Sequence, residues 1–117
     1  MQRRTVETRP LVTPQLSSDL SHGYSPTDRY VREFLIPLVG PGAVADLLRL
    51  TAAAHSGRPI RLPVNLTTLV REGLASRTHD AEIVVPSKVR PLAQHQVRRL
   101  PPSLRRTHRI AAAGIDS

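Results

Sequence analysis

Arginine is the residue type in this chain that is best suited to chemistry on a partner. The chain has 17 Lys and Arg residues against nine acids, and its formal net charge is +8. Of those 17 cations 16 are Arg, and the planar guanidinium binds phosphates and guanine edges through paired hydrogen bonds better than Lys does. Residues 88–117 contain seven of the cations and a single acid, Asp116. We therefore predict phosphate contacts in this segment from Lys88, Arg90, Arg98, Arg99, Arg105, Arg106 and Arg109.

Composition and the placement of aromatic residues limit how these arginines are interpreted. An Arg-rich, Lys-poor chain also arises from a GC-rich genome, in which case the C-terminal segment is simply a solvated basic tail. Tyr24, Tyr30 and Phe34 all lie outside the basic segment. Platforms that stack unpaired bases interleave aromatic side chains with Arg and Lys. Binding of single strands by stacking is therefore not favoured.

Groupings typical of catalytic or metal sites are scarce in the sequence. The chain has no Cys, which excludes disulfides, thiolate metal ligands and Cys nucleophiles. No two of its five His residues have the three- or four-residue spacing of a helical metal clip. Asp80 and Glu82 flank a predicted turn, where we expect a solvated hairpin rather than two acids across a cleft. The sequence therefore predicts no enzyme activity, no cofactor and no metal site.

Hydrophobic residues are concentrated in the middle of the chain. Of 32 Leu, Ile, Val and Phe residues, 24 lie within residues 29–100. Residues 1–24 are polar and interrupted by Pro, which predicts a flexible arm. We expect one domain over residues 25–100 and a basic C-terminal tail over residues 101–117. A domain of this size buries roughly 60–65% of its chain surface, so its stability is expected to be marginal.

Periodicity and capping residues predict a mainly α fold with a small β-hairpin, an α+β class. Ser25 and Pro26 are expected to begin a helix, which Pro37 ends or kinks. Further helices are predicted over residues 43–55, 66–74 and 91–100, and after Ser103. Short strands are predicted over residues 59–62 and, as a hairpin, over residues 74–86.

The order of these elements is close to that of a winged helix. The third predicted helix stands directly before the hairpin, in the position of a recognition helix. Thr67, Thr68 and Arg71 face outward on it and are predicted to approach base edges. Arg77 would stand at the wing and contact the nucleic-acid backbone or the minor groove. Residues 63–65 leave no room for the helix that normally braces a recognition helix, so we expect a reduced winged-helix-like domain.

Three stretches of the sequence resemble a known group of proteins. They are YVREFLIPLVGPG at residues 30–42, LVREGLA at residues 69–75 and VRRLPPSLRRTHR at residues 97–109. Through them the chain resembles a group of uncharacterised, Arg-rich actinobacterial proteins with a winged-helix-like core. The resemblance implies that fold and implies no particular activity. The chain departs from the group at the Leu-Gly turn expected between two helices before the recognition helix.

Charge and element order together predict a nucleic-acid-binding module. DNA is the expected partner of a small transcription regulator, and we expect a homodimer because one small reader is rarely specific enough. RNA bound through its phosphates is a second hypothesis. The alternatives are a protein–protein interaction module with a basic tail, and a decayed paralogue without activity of its own. No secretory h-region and no apolar run of about 18–20 residues is present, so we expect a cytoplasmic protein without a membrane partner.

Overall fold

The computed structural model describes residues 9–17, 23–78 and 82–115. These residues form a mixed α+β domain, which confirms the predicted class. Its strands are β1 (Leu11–Val12), β2 (Gln15–Leu16), β3 (Ile60–Arg61), β4 (Ser76–Arg77) and β5 (Ile83–Val85). Its helical elements are a π-helix (Val31–Leu35), α1 (Ile36–Val39), α2 (Pro41–Ser56), α3 (Leu66–Arg71), α4 (Gln94–Val97) and α5 (Pro102–Ile115). None of the described helices has the length and apolar character needed to cross a membrane.

The first helix widens where its sequence contains proline. Pro37 has no N–H group, and in a regular α-helix its ring would collide with the carbonyl oxygen of Glu33. The preceding turn is instead a π-helix, in which the Ile36 N–H donates to the carbonyl oxygen five residues earlier. The break predicted at Pro37 is therefore a widened turn, and the helix continues beyond the proline as α1.

Local signals in the sequence define α2 well. Pro41 lies in its first turn, where a missing N–H costs nothing. Gly57 follows its last residue with a φ of 65°, a left-handed conformation that glycine adopts without strain. The inward face of α2 packs into one hydrophobic core with the first helix, α3 and the hairpin. The fully buried members of this core are Val31, Leu35, Leu47, Leu50, Leu69, Ile83, Val85 and Val89.

A buried carboxylate on α2 holds the start of α3. Asp46 accepts hydrogen bonds from the Asn65 backbone N–H (3.0 Å) and from the Asn65 side-chain amide (2.9 Å). Arg49 pairs with the same carboxylate. Asn65 immediately precedes α3, but its side chain makes no capping bond to that helix. Asp46 therefore fixes the residue before α3 through tertiary contact.

The strands form two small sheets. β4 and β5 pair antiparallel, with Ser76 opposite Val84 and Arg77 opposite Ile83, which confirms the predicted hairpin. Its connecting residues 79–81 lie outside the described residues. β2 lies parallel to β5 on the other side, which gives the order β2-β5-β4, and β1 pairs antiparallel with β3 in the second sheet.

The N-terminal segment differs from the predicted flexible arm over residues 9–17. Val12 lies opposite Ile60, and Leu16 lies opposite Val85. Pro14, between the two short strands, is fully buried. Both pairings join residues far apart in the chain, so no local sequence pattern indicates them. Predictions for residues 1–8 and 18–22 of the arm fall outside the described residues.

The winged-helix arrangement is not confirmed. β3, the strand before α3, pairs with β1 and not with the hairpin. The side of β5 that faces away from β4 is where a winged helix has its third strand. In this chain that side is occupied by β2, which runs parallel to β5. Only residues 62–65 separate β3 from α3, and, as the sequence indicated, no bracing helix stands between them.

The C-terminal segment differs from the predicted tail because α5 packs on the domain. Leu104, His108 and Ala111 recur every four and three residues, so they share one face of the helix. His108 is buried, and the other two are partly buried against Tyr30 and Phe34. The described part of the predicted tail is thus a helix that packs on the folded unit.

Candidate nucleic-acid interface

The orientation of α5 is fixed by a buried hydrogen bond. The Tyr30 hydroxyl lies 2.6 Å from His108 Nε2 and accepts the Leu92 backbone N–H at 3.0 Å. Phe34 meets the His108 ring edge to face, with ring centroids 4.9 Å apart. Burial lowers the pKa of His108, and burial also raises the pKa of Tyr30 against the opposing effect of the Leu92 N–H. Both groups are therefore neutral near neutral pH, and the tautomer of His108 sets which of them donates the hydrogen bond.

The outer face of α5 presents arginines. Arg106 and Arg109 stand at positions that, at 3.6 residues per turn, point away from the face containing His108, whereas Arg105, three residues before His108, lies at the border of that face. Arg106 and Arg109 are exposed, and Arg105 is half-buried. Within the described part of the chain, no acidic side chain pairs with Arg106 or Arg109. Two unneutralised guanidinium groups on a fixed helix can contact consecutive phosphates. We call this face the α5 arginine face.

Arg99 forms a salt bridge within the domain. Its guanidinium lies 3.0 Å from both carboxylate oxygens of Glu72, whose side chain is only 6% exposed. Gln96 donates to the same carboxylate at 3.1 Å and accepts the Ala93 backbone N–H at 2.9 Å. Burial of the carboxyl acts to raise the pKa of Glu72, but the hydrogen bonds from Gln96 and Arg99 outweigh it and the net pKa is lowered. Arg99 thus joins the end of α3 to the end of α4. It was predicted to contact phosphate, but its guanidinium is already paired with Glu72.

Three of the predicted cations line one groove. Arg71, Arg77 and Arg90 surround a concavity of about 710 Å³, together with His95 and a set of apolar side chains. All four of these side chains are exposed. The groove lies where the end of α3, strand β4 and residues 89–96 meet. The structure therefore brings Arg71 and Arg77 together with Arg90, although the three are distant in sequence. We call this concavity the α3–β4 groove.

The remaining predicted residues lie outside the α3–β4 groove. Thr67 is exposed on α3, but Thr68 is half-buried, so the two threonines do not form one outward row with Arg71. Lys88 is exposed before the buried Val89. Arg98 is exposed directly after α4. The predicted set is thus divided between the groove, the α5 arginine face and isolated surface positions.

Sequence reasoning missed the structural role of His108. His95 and His108 both stand close to arginines in the sequence, and His95 is exposed at the groove. His108 is instead 7% exposed and bonded to Tyr30, so it cannot reach a partner. The spacing of Leu104, His108 and Ala111 was the available signal, since it marks one apolar face of a helix.

The described residues include no group of three or more His, Cys, Asp or Glu side chains placed to hold a metal ion. Comparisons with protein-family models, curated proteins and solved structures gave no significant match to this chain. The resemblance to Arg-rich actinobacterial proteins therefore stays a prediction that rests on the three sequence stretches quoted above.

Proposed function

We propose that this domain is a nucleic-acid-binding module that contacts duplex DNA through the α5 arginine face. The observation on which the proposal rests is the docking of α5. The His108–Tyr30 bond and the packing on Phe34 hold the helix on the domain. Arg106 and Arg109 are consequently presented in a fixed geometry, so less side-chain and backbone entropy is lost on binding than for a loose basic tail.

The dimensions of α5 suit a duplex. A helix of 14 residues is about 21 Å long at 1.5 Å per residue. The major groove of B-DNA is wide enough to admit an α-helix. Arginine contacts to phosphate supply affinity and position but no sequence information. We therefore expect binding by α5 alone to be salt-dependent and weakly selective.

In this proposal, α3 is the element that keeps the role expected for the recognition helix of a winged helix. Thr67 and Arg71 are exposed on α3 and would supply contacts to base edges if a second copy or a bend in the DNA brings that helix to the duplex. Such a dimeric arrangement is what a small transcription regulator would need. RNA is the competing nucleic acid, and its A-form helix would be contacted through phosphates and 2′-hydroxyls.

The test is a salt titration of binding to random duplex DNA and to a matched RNA duplex. Removing Arg106 and Arg109 together by Ala substitution should reduce the slope of log K against log salt by about two, because each lost phosphate contact changes it by about 0.9. Arg32→Ala with Arg58→Ala is the matched control, since both residues are exposed elsewhere and the change in net charge is the same.

Equal slopes for the two double variants would refute the proposal, because the binding would then follow net charge and not the α5 arginine face. Tighter binding to the RNA duplex than to DNA, with the same loss in the Arg106 and Arg109 variant, would reassign the partner to RNA. No salt-dependent binding by the full chain would leave the protein-interaction alternative.

A further inference from the structure

The α3–β4 groove has features that the α5 arginine face lacks. It is concave, and its volume of about 710 Å³ falls in the range of roughly 300–1,000 Å³ typical of ligand sites. Two continuous backbone segments, residues 73–77 and 89–93, contribute to its lining. None of its lining residues belongs to α5. It is therefore a second surface, separate from the proposed DNA contact.

One border of the groove is the edge of a sheet. β4 is the outer strand in the order β2-β5-β4. Ser76 lies opposite Val84, and the Thr78 N–H donates to the Glu82 oxygen at 2.9 Å. Hydrogen-bonded pairs alternate along an antiparallel ladder, so the N–H and C=O of Arg77, between them, point away from β5. No strand in the described part of the chain pairs with that edge.

The interior of the groove is apolar. Val70 lines the groove and is 38% exposed. Leu38, Val84 and Leu92 also line the groove and are only half-buried. No Phe, Tyr or Trp lines it, so it offers no platform for stacking bases. These side chains suit the aliphatic side chains of a peptide better than a phosphodiester backbone.

The charge facing the groove is positive. Arg71 and Arg77 are exposed and form no salt bridge with a described residue. Glu72 is the acid that lines the groove, and Arg99 and Gln96 already engage its carboxylate. An acidic ligand would therefore be attracted, and a basic one repelled.

We propose that the α3–β4 groove binds an extended peptide segment in which aliphatic residues alternate with Asp or Glu, and that this segment adds to the free edge of β4. Backbone pairing with Arg77 supplies affinity that does not depend on sequence. Alternate side chains of a strand point to opposite faces, so the aliphatic ones enter the groove and the acidic ones reach the arginines. β4 is two residues long, so the added strand pairs with it at Arg77 and the other residues of the peptide lie along the groove.

The experiment measures fluorescence polarisation of a labelled peptide of about seven residues that alternates Asp and Val, titrated with the full chain. Arg77→Glu should weaken binding about tenfold or more, because an attraction becomes a repulsion at the edge strand. Val84→Lys should weaken it similarly by filling the groove. Arg58→Glu is the matched control, since it makes the same charge change at an exposed site outside the groove, and it should leave binding within about twofold.

Two further peptides distinguish backbone pairing with β4 from attraction between charges. The same peptide with its alternate backbone amides methylated should lose binding if a strand adds to β4, since methylation removes the donors. A Lys-Val peptide should not bind. The Arg106 and Arg109 double Ala variant should bind the acidic peptide as the unaltered chain does, so a failure of the DNA proposal and a failure of this one are distinguishable.

Four results would overturn the proposal. Equal binding of the acidic and basic peptides, or equal loss with Arg58→Glu and Arg77→Glu, would mean that no groove-specific contact is made. No saturable binding of the acidic peptide would mean that Arg77 only protects an edge strand from association, a common role of charged edge residues. Displacement of the peptide by duplex DNA, with DNA binding itself lost on Arg77→Glu, would assign the groove to nucleic acid.

Discussion

Replacing Tyr30 by Phe removes the single oxygen atom that joins three parts of the fold. This hydroxyl accepts the Leu92 backbone N–H at 3.0 Å and is hydrogen-bonded to His108 Nε2 at 2.6 Å. The ring itself is retained, including its stacking on Tyr24 with centroids 3.7 Å apart. The substitution therefore tests the two hydrogen bonds with little change in packing.

The magnitude follows from what the substitution leaves unpaired. A buried hydrogen bond contributes about 1 kcal/mol net, whereas a buried polar group that loses its partner costs about 1–3 kcal/mol. His108 is only 7% exposed, so its Nε2 meets the larger penalty. Leu92 is half-buried, so water reaches its N–H more easily. We expect Tyr30→Phe to lower the free energy of unfolding by about 2–3 kcal/mol, a large share of the total for a small domain.

Urea unfolding followed by circular dichroism measures this loss. A double-mutant cycle with His108→Leu isolates the Tyr30–His108 interaction, and we expect a coupling energy of about 1 kcal/mol or more. A loss below about 0.5 kcal/mol for Tyr30→Phe, or no coupling in the cycle, would refute the argument that this bond holds α5 on the domain. In the predicted case, Tyr30→Phe should also weaken DNA binding through the α5 arginine face.

Three further predictions concern pH and close packing. Burial lowers the pKa of His108 below its usual 6.5, so the unfolded state binds more protons than the folded state does. The free energy of unfolding, measured in urea, should therefore be highest above about pH 6.5 and should fall as the pH drops toward the pKa of the folded state. The pKa of Glu72 is lowered from 4.5, so its contribution should be lost only as the pH falls below that value, and Glu72→Gln should flatten this acid limb in circular dichroism. A Cβ on Gly23 would lie 2.3 Å from the Val89 carbonyl oxygen, so Gly23→Ala should lower the free energy of unfolding by about 1–3 kcal/mol in urea titrations. Gly57→Ala, where no atom lies within 4 Å of the added Cβ, should cost only backbone strain of about 1 kcal/mol.

The elements that the sequence predicted are those with local causes. Pro41 and Gly57 define the ends of α2 because each has a fixed backbone preference. The hairpin of β4 and β5 joins residues that are close in the chain, and β-branched residues occupy β5. These signals act within a few residues, so they can be recognised without knowing the tertiary structure.

The N-terminal strands β1 and β2 could not be predicted from local sequence signals. Leu11–Val12 and Gln15–Leu16 are two residues long each and have no periodicity of their own. They are ordered because β3 and β5 present unpaired backbone groups that a passing chain can satisfy. Since the partners lie more than forty residues away in sequence, the composition of the segment predicted only a polar arm.

The candidate site was predicted by residue type but not by arrangement. Arg71, Arg77 and Arg90 meet in one groove because α3, β4 and the segment before α4 converge there. Arg99 was indistinguishable in sequence from Arg98, and only the fold brings it to Glu72. Net charge over a segment therefore identified a basic surface but could not identify which arginines are available.

The positions of the acidic residues determine which arginines are paired within the domain and which are available to a partner. Glu33 pairs with Arg29 at 3.6 Å through neighbouring turns of one helix, and Asp46 pairs with Arg49 in the same way. Glu72 is paired by tertiary contact. Each pair removes one cation from the total available to a partner, and none of these three pairs involves the α5 arginine face. The positive charge that α5 presents is therefore a consequence of where the carboxylates lie, so adding an acid beside Arg106 would weaken DNA binding more than adding one beside Arg49, at equal net charge.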